Sequence, residues 1–518
     1  MKHKLNFVLL FFYLCSLNSL AQFRDKVYDV VVYGGTPAGV TASISSYRGG
    51  ASVILLEQKQ HLGGMVTSGL NTDECFHMDR NSFSSMTWEY FENLSAKNPE
   101  RQIIPWIAYQ FESSVAEQVM LEMLGKTNVE IQYGQLIKKA DVSDTQIQSI
   151  EMENGAIYYG KVFIDATYEG DLMAMSNVSY AVGRESRETY NESLAGVQYK
   201  DAPIKISPFD EDGLLPAVLP HHNLPEGAGD GKVLSYNFRP TLTKVDSNKV
   251  PIQKPKNYNR RAYKLLERHL KEEPETKLDD LLGIYGPKPN DKYAFNNKQN
   301  TPVISFSLLN YQFEWPEASH ASRLELEQVF KEYTQGFLYF LGNDESVPET
   351  LRTEMKQWGL AKDEYTDNDN WPYYLYIREG RRMIGEYVMT QHDLQTNIRK
   401  MDRVCQGGHK IDAHHIQRLA VSETAFRNEG RIWEVVDIYD IPYGSLIPKK
   451  EECKNLLVPV AASFSHVAYC SFRIEPTWMG AGEACGLAAA MAACTNTAVQ
   501  DINVSDLQCK LKPWNIKK

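Results

Sequence analysis

The clearest pattern of hydrophobic and polar positions lies near the start of the chain. Val30–Val32 is a short apolar run of β-branched residues, which is typical of a buried parallel strand. Gly34 and Gly35 interrupt this run, and Pro37 suits the first turn of a helix, where its missing N–H costs nothing. The apolar pattern continues as a helix towards Tyr47. We therefore expect a strand, a glycine turn and a helix in direct succession.

The next apolar run, Ser52–Leu56, predicts a second strand, and this strand ends in the acid Glu57. This order of strand, glycine turn, helix, strand and acid is typical of a mononucleotide-binding βαβ unit. In such a unit Gly34 permits the sharp turn, and Gly39 lets the helix lie close to the strand. The helix N-terminus binds a pyrophosphate, and the acid accepts a hydrogen bond from a ribose hydroxyl. Thr36 stands where the glycine fingerprint has its middle glycine. A purely structural glycine turn is the alternative interpretation.

Later segments extend this unit. A second glycine turn, Gly63-Gly64, follows the acid, and Asn154-Gly155 predicts a tight hairpin. The spacing of apolar residues predicts a helix at Ser113–Leu124 and strands at Val129–Tyr133, Gln146–Glu153, Ala156–Val162 and Lys161–Ala166. The last of these strands leads into Ala166-Thr167, a sequence that would return the chain to a bound dinucleotide.

The pattern changes from about residue 172. Residues 201–300 are rich in Pro, Lys, Asp and Asn, which predicts an irregular insertion over a second domain. Further patterns predict helices at Arg260–Leu270 and Ser322–Leu341, a strand at Asn455–Ala461 and a helix at Thr477–Cys494. The last helix is dense in Gly and Ala. Close packing is one interpretation of it, and a helix N-terminus that faces a bound cofactor is the other.

The first 21 residues predict a secretory signal peptide. Lys2 and Lys4 precede an apolar core at Leu5–Leu14, and small residues lead to a cleavage position near Ala21. This core is too short to span a bilayer, and no later apolar run is long enough to do so. We therefore expect a periplasmic or secreted protein without a membrane span.

Charge and cysteine content exclude several classes of partner. The formal net charge is −11, which argues against nucleic acid and anionic membrane surfaces. The eight cysteines are scattered and contain no CxxC pair with metal spacing. The run Asp367–Asn370 lacks the glycine and the closing glutamate of an EF-hand, so a solvated turn is favoured. We expect no metal site.

Several blocks of the sequence together resemble one family, the FAD-dependent oxidoreductases of secreted bacterial proteins that begin V-V-Y-G-G-T-x-A-G-V. Members of this group are often labelled xanthan lyases. The blocks that carry the resemblance are Val30–Gly39, Glu57–Gly69, Phe163–Ser186, Tyr376–His392, Asp412–Arg418, Ile441–Pro448 and Leu456–Gly486. The resemblance implies an α/β fold in which a split Rossmann-like FAD-binding domain of the glutathione reductase type carries a large inserted α+β substrate domain. The implied boundaries are 27–171 and 435–500 for the FAD-binding domain and 172–434 for the insertion.

The same resemblance implies a set of site residues. The implied FAD contacts are Gly34, Gly35, Thr36, Pro37, Ala38, Gly39, Glu57, Gln58, Gly63, Gly64, Ala166, Thr167, Gly170, Asp171 and Glu475. The implied catalytic residues are Arg378, His414, His466 and Arg473. Histidine suits proton transfer near neutral pH, and arginine can stabilise a reduced flavin or bind a carboxylate. A surface contact between Arg378 and Glu379 on a helix and a structural hydrogen bond for His414 are the alternative interpretations.

Three functional hypotheses follow. The first is an exported flavoenzyme that transfers a hydride between FAD and a small organic molecule, such as a sugar or a sugar acid, with an unidentified electron acceptor. The second is a polysaccharide lyase that acts on uronate polymers, which would need a base but no flavin. The third is a non-catalytic binding protein that retains a flavin fold.

Overall fold

The computed structural model of the chain describes residues 26–70, 78–104, 107–108, 110–222, 224–300, 303–396 and 398–511. The predicted signal peptide, Met1–Ala21, lies outside these residues and stays a prediction. The main elements are β1 (Val27–Tyr33), α1 (Pro37–Arg48), β2 (Val53–Leu56), α2 (Ser85–Lys97), α3 (Ser113–Leu124), β3 (Glu130–Gln132), β4 (Ile137–Ser143), β5 (Gln146–Met152), β6 (Ile157–Asp165), β7 (Thr241–Thr243), β8 (Lys249–Pro251), β9 (Leu282–Lys288), β10 (Lys292–Asn297), α4 (His320–Asn343), β11 (Gly359–Ala361), β12 (Leu456–Leu457), α5 (His466–Phe472) and α6 (Glu475–Thr495).

Shorter elements connect the main ones. The short helices are Asp171–Met175, Arg187–Tyr190, Lys264–Glu272, Leu278–Leu281, Glu349–Lys356, Gln391–Gln395 and Val504–Lys510. The short strand pairs are Gln102–Ile104 with Ile107–Ala108, Tyr180–Ala181 with Arg382–Met383, Phe209–Asp210 with Gly213–Leu214, Arg403–Gly407 with Tyr439–Pro442, Ile411–Ala413 with Ile432–Glu434 and Gln417–Ser422 with Ala425–Glu429. Across the described ranges, no helix is both long enough and apolar enough to cross a lipid bilayer.

The first glycine turn follows β1, which is an inner strand of a seven-stranded sheet. β1 lies between β2 and β6 and is parallel to both, and β3 pairs with the far side of β2. Val30–Val32 is buried between its neighbours, which explains why this run is apolar at every position. The predicted strand at Ser52–Leu56 and the predicted helix from Pro37 are confirmed to within one residue by β2 and α1.

One long strand, β6, replaces two predicted strands. Ala156–Val162 and Lys161–Ala166 were predicted separately, and this division was wrong. The first residues of β6 pair antiparallel with β5, while its last residues pair parallel with β12 on the same side. A single strand therefore passes through two different environments, which gives it two different apolar patterns. The predicted hairpin at Asn154-Gly155 is confirmed between β5 and β6.

The end of the chain returns to the same sheet. β12 pairs with β6, with Leu456 opposite Phe163. The strand predicted at Asn455–Ala461 is only two residues long, because the N–H of Val458 already bonds the Leu446 carbonyl outside the sheet. The sheet thus takes strands from both ends of the chain, which confirms the predicted α/β fold class. The predicted domain boundaries stay a prediction.

The helix α6 packs so closely against α1 that the two backbones are in direct contact. A Cβ atom built on Gly482 would lie 2.2 Å from the Ala38 carbonyl oxygen, and one on Gly486 would lie 2.2 Å from that of Ala42. The Thr41 hydroxyl donates a hydrogen bond to a backbone carbonyl of α6 at 2.9 Å. The glycines and alanines of α6 therefore serve close packing onto α1.

A second sheet occupies the middle of the chain. Its five strands are antiparallel in the order β8, β11, β7, β10 and β9. Four of them lie within residues 201–300, so the prediction of an irregular insertion was wrong there. The sequence hides β9 because Gly283, Gly286 and Pro287 lie inside the strand, and such residues normally disfavour one. The helix predicted at Ser322–Leu341 is confirmed as α4.

The contact between α1 and α6 can be tested by one added methyl group. Replacing glycine by alanine inside a helix normally stabilises a protein by about 1 kcal/mol. For Gly482→Ala we expect the opposite, a loss of about 1–3 kcal/mol in the free energy of unfolding, because the methyl group meets the Ala38 carbonyl. The measurement is urea unfolding followed by circular dichroism.

Gly342→Ala is the matched control for this experiment. Gly342 lies in α4, and the nearest atom to an added Cβ, the Cγ of Met355, is 3.6 Å away. The control should be as stable as the wild type or more so. Unchanged or increased stability of Gly482→Ala would contradict the close packing of the two helices.

Candidate functional site

A cavity of about 160 Å³ lies at the carboxyl ends of the parallel strands. The loops that follow β1, β2 and β6 meet at this edge of the sheet, which is where open α/β sheets bind ligands. Of the predicted cofactor residues, five line the cavity: Gly34, Thr36, Glu57, Gln58 and Thr167.

The first glycine turn forms one wall of the cavity. Gly34 has φ +104°, and a Cβ there would lie 2.7 Å from the Thr167 nitrogen, so only glycine fits. A Cβ on Gly39 would lie 1.8 Å from the Gly34 carbonyl oxygen. The Thr36 hydroxyl accepts a hydrogen bond from the Gly39 N–H at 3.3 Å and donates one to the Ala166 carbonyl at 2.7 Å. Thr36 therefore caps α1 and connects the turn to the loop after β6.

Glu57 is buried at the end of β2. Its carboxylate accepts hydrogen bonds from the Gly35 N–H at 2.6 Å, from the Lys59 N–H at 2.7 Å and from the Tyr374 hydroxyl. Burial raises the pKa of Glu57, and these three donors oppose that rise. Tyr374, which comes from the inserted region, therefore bonds the acid that we expect to bond a ribose hydroxyl. The ribose contact stays a prediction.

The second glycine turn is bonded to the first. The Gly63 N–H donates a hydrogen bond to the Gly35 carbonyl at 2.7 Å. A Cβ on Gly64 would lie 2.1 Å from the Tyr168 hydroxyl oxygen. This hydroxyl accepts a backbone N–H of the turn at 2.9 Å and donates to Glu475 at 2.6 Å. Tyr168 thus joins the second turn, the loop after β6 and the first residue of α6.

Two buried carboxylates stand in and after β6. Asp165 accepts hydrogen bonds from the Thr167 N–H at 3.1 Å and the Thr167 hydroxyl at 2.7 Å, and burial raises the pKa of Asp165 to about 6. Asp171 forms ion pairs with Arg323 at 2.5 Å and Arg381 at 2.7 Å. Both arginines belong to the inserted region. Asp171 therefore joins the two parts of the chain, and its predicted cofactor contact stays a prediction.

Three of the predicted catalytic residues meet in one buried cluster. The ring Nδ1 of His414 lies 3.2 Å from the Asn297 amide nitrogen, and the Asn297 oxygen accepts a hydrogen bond from Arg378 at 3.2 Å. Asp412 bonds Arg473 at 3.0 Å and lies 3.6 Å from the other ring nitrogen of His414. Burial, followed by the charge of Arg378, lowers the pKa of His414 to about 3. His414 is therefore neutral near pH 7.

The fourth predicted catalytic residue, His466, belongs to a separate buried pair. Its Nδ1 lies 2.8 Å from a carboxylate oxygen of Glu379. Glu379 also accepts the Leu234 N–H at 3.1 Å and pairs with Arg382 at 2.9 Å. The Nε2 of His466 is buried and has no hydrogen-bond partner among the described residues. A carboxylate that fixes one ring nitrogen leaves the other free to take a proton.

The other ten predicted cofactor residues do not line the cavity. They are Gly35, Pro37, Ala38, Gly39, Gly63, Gly64, Ala166, Gly170, Asp171 and Glu475. The sequence analysis did not assign Trp315, Arg323 or Tyr374, which do line it. These residues come from the inserted region, where no motif marks their contacts. Glu379 was considered only as a surface partner of Arg378, and this interpretation was wrong, because both residues are buried and Glu379 bonds His466.

The chain has low similarity to several solved structures. THI4 of Thermovibrio ammonificans is 15% identical with a TM-score of 0.25, and the match covers 36% of this chain and 75% of that protein. Thioredoxin reductase of Lactococcus lactis is 21% identical with a TM-score of 0.18, and the match covers 27% of this chain and 35% of that protein.

Sequence comparison identifies the family. A curated NADH oxidase of Thermoanaerobacter brockii is 44% identical over 62 residues, which are 10% of this chain and 9% of that protein. The chain thus spans less than a tenth of the length of this curated relative. The family model described as FAD dependent oxidoreductase matches residues 29–511, which include the cavity and both histidine clusters. This chain therefore belongs to the FAD-dependent oxidoreductase family.

Proposed function

We propose that this flavoenzyme oxidises a hydroxyl group of a small organic substrate, a sugar or a sugar acid, and that His466 accepts the hydroxyl proton. The observation that carries the proposal is the buried Nε2 of His466, which bonds no described residue while Glu379 bonds Nδ1. Buried polar side-chain atoms normally have a hydrogen-bond partner. An unsatisfied ring nitrogen at this depth is therefore suited to a substrate or cofactor atom.

The cavity residues fit the cofactor that the family implies. Gly34 and Thr36 open the start of α1 to the cavity, where peptide N–H groups and the helix dipole favour a pyrophosphate. Glu57 and Gln58 line the same cavity and offer polar groups to an adenosine ribose. These residues would hold FAD, which supplies a hydride acceptor when it is bound.

The Glu379–His466 pair supports proton transfer. His466 Nε2 would take the hydroxyl proton of the substrate, and Glu379 would stabilise the imidazolium that forms. Arg382 and the Leu234 N–H hold the Glu379 carboxylate in place. Glu379 stands two residues after Ile377, which lines the cavity. The carboxylate of the pair therefore lies on the same backbone segment as part of the cavity wall.

We assign the His414 cluster to substrate positioning. A histidine whose pKa is about 3 can form hydrogen bonds but does not take a proton near pH 7. Arg378 and Arg473 are buried beside it, and the Asp412 carboxylate offsets one of these two positive charges. The remaining positive charge favours an anionic substrate or a negatively charged reduced cofactor.

The two other hypotheses explain fewer observations. A uronate lyase requires a base but no flavin, so the nucleotide cavity would have no role. A non-catalytic flavin-fold binding protein would not need a buried histidine with an unsatisfied nitrogen.

An anaerobic screen tests the proposed function. Purified FAD-loaded protein is mixed with single sugars, sugar acids and other hydroxy acids while the flavin absorbance is followed. We expect at least one compound to bleach the flavin. A flavin that no compound bleaches, together with cleavage of uronate polymers, would favour the lyase, and inactivity in both assays would favour the binding protein.

The proton-transfer role gives a specific prediction for Glu379→Gln. The rate constant of anaerobic flavin reduction should fall by about 10²- to 10⁴-fold, because the amide no longer stabilises the imidazolium. FAD content should stay close to that of the wild type, since glutamine fills the same space, and the thermal midpoint should fall only in part, because Arg382 keeps its pair with Glu185. His392→Asn, at an exposed histidine that bonds the Asn191 carbonyl, is the control and should react normally. Normal reduction by Glu379→Gln would show that the pair has no catalytic role.

The cofactor assignment gives a second prediction, for Gly34→Ala. The purified variant should carry little FAD, because the methyl group meets the Thr167 nitrogen at the cavity wall. Gly50→Ala is the matched control. Gly50 also has a positive φ, +94°, but an added Cβ meets nothing within 4 Å, so backbone strain alone is tested there. The flavin absorbance of the denatured protein gives the number of FAD molecules bound per chain. Equal FAD in the two variants would contradict the assignment.

A further inference from the structure

A second, smaller cavity lies in the inserted region beside the His414 cluster. Its volume is about 20 Å³, which is room for one water-sized group. Asn297 lines this cavity and also bonds both His414 and Arg378. Asn297 therefore connects the cavity directly to the cluster that we assign to substrate positioning.

Arg418 places an uncompensated positive charge on this cavity. Its side chain is buried, with 3% of the residue exposed, and its Nε donates a hydrogen bond to the Asn428 amide oxygen at 2.9 Å. No carboxylate of the described residues pairs with its guanidinium group. Burial lowers the pKa of Arg418 to about 10, so the group keeps its charge at neutral pH. Buried charges in proteins are normally paired.

Two other buried arginines follow that rule. Arg184 pairs with Asp230 at 2.7 Å and with Glu429 at 2.7 Å. Arg323 pairs with Asp171, as described above. Arg418 differs from these two because its guanidinium group contacts an aromatic ring, with the Phe426 centroid 5.8 Å away, and pairs with no carboxylate of the described residues.

Two hydroxyl groups on the same cavity are also unsatisfied. The Oγ atoms of Ser235 and Ser307 are buried and have no hydrogen-bond partner in the described part of the chain. A cation and two hydroxyl groups make a site that donates hydrogen bonds to an anion. A water molecule could satisfy the hydroxyl groups, but it would not neutralise the charge of Arg418.

We propose that Arg418, Ser235 and Ser307 bind a carboxylate group of the substrate. This inference rests on the proposed function and narrows it, since it favours a sugar acid over a neutral sugar. At about 20 Å³ the cavity has room for one carboxylate oxygen, so the rest of the molecule would lie outside it. Ser235 follows directly after Leu234, whose N–H bonds Glu379, so the carboxylate site and the proton acceptor share one backbone segment. The carboxylate would then orient the substrate relative to His466.

The first experiment compares the thermal midpoints of Arg418→Met and Arg184→Met without added ligand. Arg184→Met should lower the midpoint, because it leaves two buried carboxylates without their partner. Arg418→Met should leave the midpoint unchanged or raise it, because it removes a buried charge that has no partner. A loss of stability as large as that of Arg184→Met would show a structural role for Arg418 and would overturn the proposal.

The second experiment uses acetate as the probe on the FAD-loaded protein, with acetamide and chloride as controls. Acetate should raise the thermal midpoint of the wild type, and acetamide should not, because it carries no charge. Arg418→Met should weaken acetate binding by roughly 10- to 100-fold. An acetate effect that persists in Arg418→Met, that chloride reproduces, or that is absent from the wild type would contradict a carboxylate site.

Flavin reduction separates this inference from the proposed function. If sugar acids and the corresponding neutral sugars bleach the flavin equally well in the wild type and in Arg418→Met, the carboxylate site is wrong while the oxidoreductase activity stands. If acetate binds through Arg418 but no compound bleaches the flavin, the proposed activity fails while the anion site stands. Bleaching by acids that is weakened in Arg418→Met supports both.

Discussion

The contact between the backbones of α1 and α6 is the constraint on which the rest of this structure depends. Thr41 and Met479, which are joined by a hydrogen bond across this contact, lie 438 positions apart in the chain. The helices approach so closely because Gly482 and Gly486 have no side chains in the interface. α1 begins at the glycine turn, so its position decides where the cavity wall lies. The cavity where we expect the nucleotide therefore forms only when both ends of the chain have come together.

Buried polar contacts connect the residues around this cavity to the predicted insertion, residues 172–434. Asp171, after β6, pairs with Arg323 and Arg381 from the insertion, and Glu57 bonds Tyr374 from the same region. Such pairs contribute little net stability by themselves, but breaking one leaves an uncompensated charge at high cost. These contacts thus fix the position of the predicted insertion relative to the cavity. The exceptions to this pairing, His466 Nε2 and Arg418, are the positions where we expect the substrate to supply the missing partner.

The sequence predicted the elements whose signals are local. The turn at Gly34, the start of α1 at Pro37 and the small residues of α6 each depend on neighbouring positions, so their patterns are visible in the chain. The sheet within residues 201–300 was missed because β9 contains Gly286 and Pro287, which mask a strand that its antiparallel partners stabilise. The bonds of Tyr374 to Glu57 and of Glu379 to His466 join residues that are far apart in sequence. No local pattern reports such contacts, so the catalytic residues were predicted only through the family resemblance, whereas Gly34, Gly39 and Glu57 were predicted from the order of elements around them.

The most direct test of this account is hydrogen–deuterium exchange of the protein with and without FAD. Because α1 and α6 pack as one unit, FAD that binds at the glycine turn should slow amide exchange in α1 and also in α6, although no residue of α6 lines the cavity. Protection of both helices is the result that the account predicts. Protection that is limited to the first glycine turn and α1, with α6 exchanging as in the FAD-free protein, would contradict it.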